Sequence, residues 1–398
     1  MSAAKSNHSL GFIKLYTFFT YGSMAVFSVY FPLYFSEIGL SKLQIGMIMA
    51  GGPVLSILAN PFWGYVSDRR QNIRMTLVVL LACSLATVQG AFLVHSFWAL
   101  TAVMLVFFFF QSPLSSQGTS LILNSIEGTE RKFGSFRLFG SLGYAVIALA
   151  AGPLVARTGS GLIEAAYSGL LLIALVLTLW LPKGHDSNVV NAFTARGYGQ
   201  IFRNRSFVVF VALGVFLSVP NSVNSTFVSL YIRELGGSDV MVGWGSFLSS
   251  IFEIPVYLLL DRVVKRNSRS LLAGLGVVSV LFSVRWLLMS LASAPIHILL
   301  TQLLHSVSFG IYSYLGTTLT SLWVPAEYRA SGQAVFTLTW GGLSGIIAGF
   351  AGGWLYDAAG AALLYRLGAA MALIGALGFF ALLRGITRQT RQTETSTG

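Results

Sequence analysis

The chain has 398 residues, of which 55% are apolar and only 10% charged, with a mean hydropathy of +0.74. That composition excludes an ordinary soluble domain, and the single cysteine, Cys83, excludes an intrachain disulfide or a cysteine-based metal site. The net charge of +12 is spread over short loops between apolar runs, so it points to membrane topology and no nucleic-acid partner is expected.

Runs of about 20 apolar residues are long enough to cross a bilayer core of roughly 30 Å. Backbone groups in lipid must be satisfied internally, so these runs are predicted to be helices. Twelve are expected, over 12–35, 43–66, 75–95, 98–122, 137–156, 163–182, 207–232, 241–260, 270–292, 296–321, 332–355 and 362–383. An even count puts both termini on one face. With loops assigned alternately, 19 of the 25 Lys and Arg fall on that face and 4 on the other, while Arg137 and Arg285 lie inside helices. This asymmetry predicts an integral protein of the plasma (inner) membrane with cytoplasmic termini.

Helix 1 carries a stripe of Tyr16, Thr20, Ser23, Phe27 and Tyr30. The segment that follows is stated twice. Tyr34, Glu37, Gly39, Ser41 and Gly46 return 197 positions later as Tyr231, Glu234, Gly236, Ser238 and Gly243. Arg131 and Gly134 return 198 positions on as Arg329 and Gly332. The expected fold is therefore all-α: two pseudo-symmetric six-helix bundles, 1–182 and 206–384, joined by a cytoplasmic linker, 183–205. A tail, 385–398, rich in Thr, Gln and Arg, is expected to be disordered.

Gly64, Asp68, Arg69 and Arg74 mark the loop between helices 2 and 3, and Asp261 and Arg262 are its second copy, 193 positions on. A carboxylate at a helix end pairing with a cation on a neighbouring helix would make these residues a conformational latch. Ordinary interfacial anchoring would use the same residue types.

A charge at the bilayer centre costs roughly 2.5–3.5 kcal/mol on insertion scales, so each one asks for a reason. Arg137 opens helix 5, with Ser141 and Tyr144 at i+4 and i+7 on the same face. Its planar donor fork suits carboxylates and paired hydroxyls, and Tyr144 offers a plate on which a ring can stack. An interfacial arginine snorkelling from the helix end would produce the same pattern. Helix 11 repeats the stripe without the charge, as Gln333, Thr337 and Trp340.

Helix 7 offers Ser218, Asn221, Asn224 and Ser225 as solute hydrogen-bonders. In helix 8, Ser246, Ser249, Ser250 and Glu253 form one polar stripe that ends on a carboxylate, with Pro255 able to loosen the helix beside it. A carboxylate that loads and releases a proton is what proton coupling needs. A structural pair with Arg285 or Arg137 is compatible with that role. Arg285 lies in helix 9, and helix 10 places Gln302, His305 and Tyr312 on one face.

These residues resemble the major facilitator superfamily across nearly the whole chain. The Gly64, Asp68, Arg69 loop is similar to its signature loop, although the glycine usual three places after the aspartate is Gln71 here. Phe133, Gly134, Arg137, Gly140, Gly143 and Tyr144 resemble the helix-5 motif of the lactose-permease branch, whose arginine binds sugar hydroxyls and whose aromatic stacks on the sugar ring. Arg285 and His305 resemble that branch's helix-9 arginine and helix-10 histidine, which serve proton coupling and substrate affinity. Two departures stand out. The proton-carrying carboxylate of helix 10 falls at Ser308, and the helix-4 glutamate that pairs with the sugar-binding arginine falls near Leu123 and Asn124.

Glu253 with Pro255, the segment around Glu37 and the helix-10 motif at His305 instead resemble the nucleoside/proton symporters and the phenylpropionate-permease-like group. The chain is placed nearest the latter group, which argues against lactose. The resemblance implies a monomeric secondary transporter working by alternating access, without a cofactor and not an enzyme. Its solute would be an aromatic carboxylate, a nucleoside or a sugar. Glu253, Arg285 and His305 would couple the proton, and Arg137, Ser141, Tyr144, Asn221, Asn224, Gln302 and Trp340 would hold the solute. A proton-driven exporter and a membrane sensor that has lost transport remain the rival readings.

Overall fold

The computed structural model describes residues 2–127, 129, 131, 133–159, 161–183, 201–325 and 328–396, and every regular element among them is helical. The first half contains α1 (Ser2–Glu37), α2 (Lys42–Arg70), α3 (Ile73–Leu93), α4 (Phe97–Gln111), α5 (Pro113–Ile126), α6 (Gly134–Thr158) and α7 (Gly161–Thr178). The second contains α8 (Arg205–Glu234), α9 (Asp239–Ile251), α10 (Glu253–Val263), α11 (Ser268–Ser290) and α12 (Pro295–Trp323). It continues with α13 (Arg329–Thr337), α14 (Ser344–Ile347) between π-helical stretches Leu338–Leu343 and Ala348–Gly352, and α15 (Gly353–Ser396).

Among the described residues, ten helical segments are long and apolar enough to cross a membrane. The remaining differences from the expected twelve crossings are breaks and bends. The eighth crossing is split at Phe252 into α9 and α10, each too short to span alone. The last segment is two crossings bent at Gly360, whose φ of 75° lies where a residue without a Cβ is at ease. Twelve crossings result, as expected. Most of the linker, 184–200, lies outside the described residues. The tail departs from expectation: α15 continues as helix to Ser396, because no proline interrupts it and Arg, Gln and Glu are good helix formers.

The repeated segment forms the same structure twice. Gly39 (φ 92°) and Gly236 (φ 86°) end α1 and α8 in the left-handed region. Ser41 and Ser238 then cap α2 and α9, accepting from the N–H groups of Gln44 at 3.2 Å and Met241 at 3.4 Å.

The halves meet along α6 with α9, α1 with α8, and α2 with the α14 region. Glycines set the closeness of these crossings. A Cβ on Gly46 would overlap the carbonyl of Gly349, and one on Gly243 would come within 2.7 Å of the Ala148 carbonyl oxygen. The end of the bundle away from the termini is shut by polar contacts as well. There Arg233 pairs with Glu37 of the other half at 3.3 Å and with Asp239 at 2.9 Å. Burial pushes the Asp239 carboxyl above the usual carboxylate range, and the Arg233 charge opposes that shift. Toward the other end the halves part around a cleft of about 840 Å³, walled by apolar residues such as Met49, Ile57, Phe108 and Leu338.

Candidate functional site

Between the halves lies a cavity of about 350 Å³, a volume within the range that encloses small organic ligands. The first half supplies its wall from α1 and α6. Gly140 and Gly143 allow α6 to lie directly on α1, against Tyr21 and the backbone of Phe18. The same register turns Arg137, Ser141 and Tyr144 into the cavity, as their common helical face requires. The Arg137 guanidinium lies 4.6 Å over the Tyr21 ring and donates to the Tyr21 hydroxyl. The Tyr144 and Ser28 hydroxyls share a hydrogen bond of 2.8 Å.

The second half supplies Asn224 and Ser225 from α8, Ser246, Ser249 and Ser250 from α9, and Gln302, His305 and Phe309 from α12. Glu253 completes this wall. It is the first residue of α10, directly after the break at Phe252, and Pro255 sits within the first turn, where its missing N–H leaves no bond unmade. Discontinuous helices of this kind present side chains and free backbone groups to a site at mid-membrane. Glu253 is within electrostatic reach of Arg137 and Tyr144 across the cavity. The acid that faces Arg137 therefore comes from the other half and not from helix 4, where Leu123 is exposed and Asn124 stands next to it.

Three predicted site residues lie behind the wall. Arg285 is fully buried, stacked on the Trp286 ring at 4.1 Å, and donates weakly to the Gln302 side chain at 3.5 Å. It interacts with His305, so these two form one group while Glu253 and Arg137 form another. Asn221 is buried without lining the cavity. Trp340 stacks on Tyr312 with ring centroids 4.5 Å apart, inside the second bundle. Gln333 donates to Thr317 and Ser321 of α12, and Thr337 faces the apolar cleft.

In the expected latch, Arg74 donates to the carbonyls of Leu179 and Leu181 at 3.3 Å, tying α3 to the end of the sixth crossing. Asp68, Arg69 and Arg262 are exposed, and the Asp261 side chain lies outside the described residues.

Tyr21, Met24 and Ser28 are wall residues that sequence reasoning did not single out. They are spaced i, i+3, i+7, about a turn's third away from Tyr16, Thr20, Ser23, Phe27 and Tyr30, which are buried in packing within the bundle. Both faces carry aromatic and hydroxyl residues, so spacing alone selects neither. A polar residue facing Arg137 was the available signal.

The MFS_1 like family model matches residues 11–367. The chain is 26% identical over 343 residues to the maltose permease of Geobacillus stearothermophilus, covering 85% of each chain. It is 24% identical over 303 residues to the probable 3-phenylpropionic acid transporter of Escherichia coli, covering 74% of this chain and 76% of that one. Its fold matches a crystal structure of the nucleoside transporter NupG with a TM-score of 0.81 at 15% identity, over 93% of this chain and 98% of that one. With a family match over most of its length and the twelve-crossing fold around one central cavity, the chain is a solute transporter of the major facilitator superfamily and belongs to the MFS_1 like family.

Proposed function

We propose that this protein is a proton-coupled symporter that imports a small organic solute by alternating access, as a monomer in the plasma membrane with cytoplasmic termini. The observation that carries the reading is the position of Glu253 opposite Arg137 in one cavity, on different halves. A charged Glu253 attracts Arg137 and holds the halves together at the site. A protonated Glu253 releases that attraction, so one proton changes both the solute's competitor for Arg137 and the balance between conformations.

Arg137 and Ser141 hold the solute from one half, and Asn224 and Gln302 hold it from the other. Tyr144 and Phe309 provide rings on which a planar group can stack. Asn221, Arg285 and Trp340 act from behind: Arg285 orients Gln302 and influences His305, and Trp340 fixes Tyr312. The positive-inside charge makes the shut end the external one, which leaves this conformation open toward the cytoplasm. The latch residues Asp68, Arg69, Arg74, Asp261 and Arg262 stabilise the outward-open state by pairing a carboxylate at a helix end with a cation on a neighbouring helix.

The solute classes that fit are an aromatic carboxylate, a nucleoside or a sugar. Relatives named as a maltose permease, a probable 3-phenylpropionic acid transporter and a putative nucleoside transporter fall in all three classes. The test is uptake into proteoliposomes of 3-phenylpropionate, a nucleoside, maltose and a β-galactoside, each with and without an inward proton gradient. Gradient-driven accumulation of one of them is expected. Accumulation only when the gradient is reversed would establish an exporter running as a proton antiporter and overturn the import reading.

A further inference from the structure

We propose that Asp357 is a gating residue of the transport cycle: carried by the second half, its carboxylate caps the N-terminus of α2 in the first half only while the end away from the termini is shut. The α2 helix has its own capping box, in which Ser41 accepts from the Gln44 N–H at 3.2 Å and Gln44 accepts from the Ser41 N–H at 3.0 Å. That box leaves the N–H groups of Lys42 and Leu43 without a partner from their own helix. Asp357 takes both, one per carboxylate oxygen, at 2.9 Å from Lys42 and 2.8 Å from Leu43. A carboxylate at this position also meets the positive end of the helix dipole.

One turn of α15 builds the whole contact. Gly353 lets the backbones approach, since a Cβ there would lie 2.8 Å from the Lys42 carbonyl oxygen. Tyr356 receives the Lys42 ammonium 5.6 Å over its ring and donates to Glu234 at 2.7 Å. At the pseudo-symmetric crossing Asp239 and Val240 take the places of Lys42 and Leu43, and Gly152 takes that of Gly353. There the acid belongs to the helix's own first turn and pairs with Arg233, so the internal repeat does not dictate a carboxylate at 357. The two partners of this cap lie on halves that must separate at this end for solute to enter. That requirement rests on the alternating-access reading but not on the role of Glu253.

The test uses the full chain in membrane vesicles, with Cys83→Ser and a Ser225→Cys reporter on the cavity wall. A membrane-impermeant maleimide is added to the far face in right-side-out vesicles, or to the termini face in inverted ones. Asp357→Ala is expected to raise labelling from the far face on the order of tenfold, the size of a lost helix cap, and to lower labelling from the termini face. Asp357→Asn, which keeps an acceptor and loses the charge, is expected to fall between. Unchanged labelling would overturn the proposal. A rise from both faces would overturn it too, because it would mean a loosened bundle and not a shifted gate. Neither solute nor proton gradient enters the assay, so its failure is distinct from failure of proton symport.

Discussion

Arg137 shows how much a single residue type can reveal and where it stops. Its presence and its helical face with Ser141 and Tyr144 were legible from spacing alone, because a charge at this depth needs a reason. Its partner Tyr21, 116 positions before it, was not, and Glu253, 116 positions after it, stood open between a pair with Arg137 and one with Arg285. Replacing Arg137 with Lys keeps the charge but loses the planar fork and the stacking on Tyr21. Charge-assisted hydrogen bonds contribute about 1.5–3 kcal/mol, so transport efficiency is expected to fall by roughly ten- to a hundredfold in initial-rate uptake. A Lys variant with native rates would remove Arg137 from solute binding. Gln71 offers a second test at this scale. It ends α2 at φ 46°, where the superfamily loop carries glycine. Gln71→Gly should relieve about 1 kcal/mol of left-handed strain and raise the melting temperature in detergent by roughly 1–2 °C. A fall would show that the Gln71 side chain contributes more than its backbone costs.

Helices were the most legible elements, because lipid forces every apolar run of this length to satisfy its own backbone. The break at Phe252 was not legible as a break. The apolar pattern reads straight through it, and Pro255 marked only that the helix could loosen there. The consequence is large, since the break turns Glu253 from a mid-helix residue into the first residue of α10. In helix 1 the stripe from Tyr16 to Tyr30 is buried while Tyr21, Met24 and Ser28 line the cavity, and the two faces have similar composition. The glycine pairs give an element-scale prediction. At Gly243 a Val side chain would collide with the Ala148 carbonyl, whose oxygen lies 2.7 Å from even a Cβ. Gly243→Val should insert and fold, yet fail to shut the end away from the termini. Far-face labelling of the Ser225→Cys reporter should then rise, while exchange transport slows at least tenfold. Native labelling in this variant would show that the α6–α9 crossing does not set closure.

For the whole molecule, the repeat of Tyr34–Gly46 as Tyr231–Gly243 correctly indicated two halves, down to matching glycine ends and serine caps. What the repeat could not convey is the asymmetry laid over it. Arg137 belongs to the first half and Glu253 to the second, and their opposition exists only after the halves are assembled. Proton coupling in this account follows from that assembly, because a proton on Glu253 changes the attraction between two moving bodies. The most direct test compares wild type with Glu253→Gln in proteoliposomes, using the solute identified by the panel and two assays. Glu253→Gln is expected to abolish accumulation driven by an inward proton gradient while retaining solute counterflow at equal pH. Gradient-driven accumulation that survives the substitution would contradict the account and move the proton to another residue.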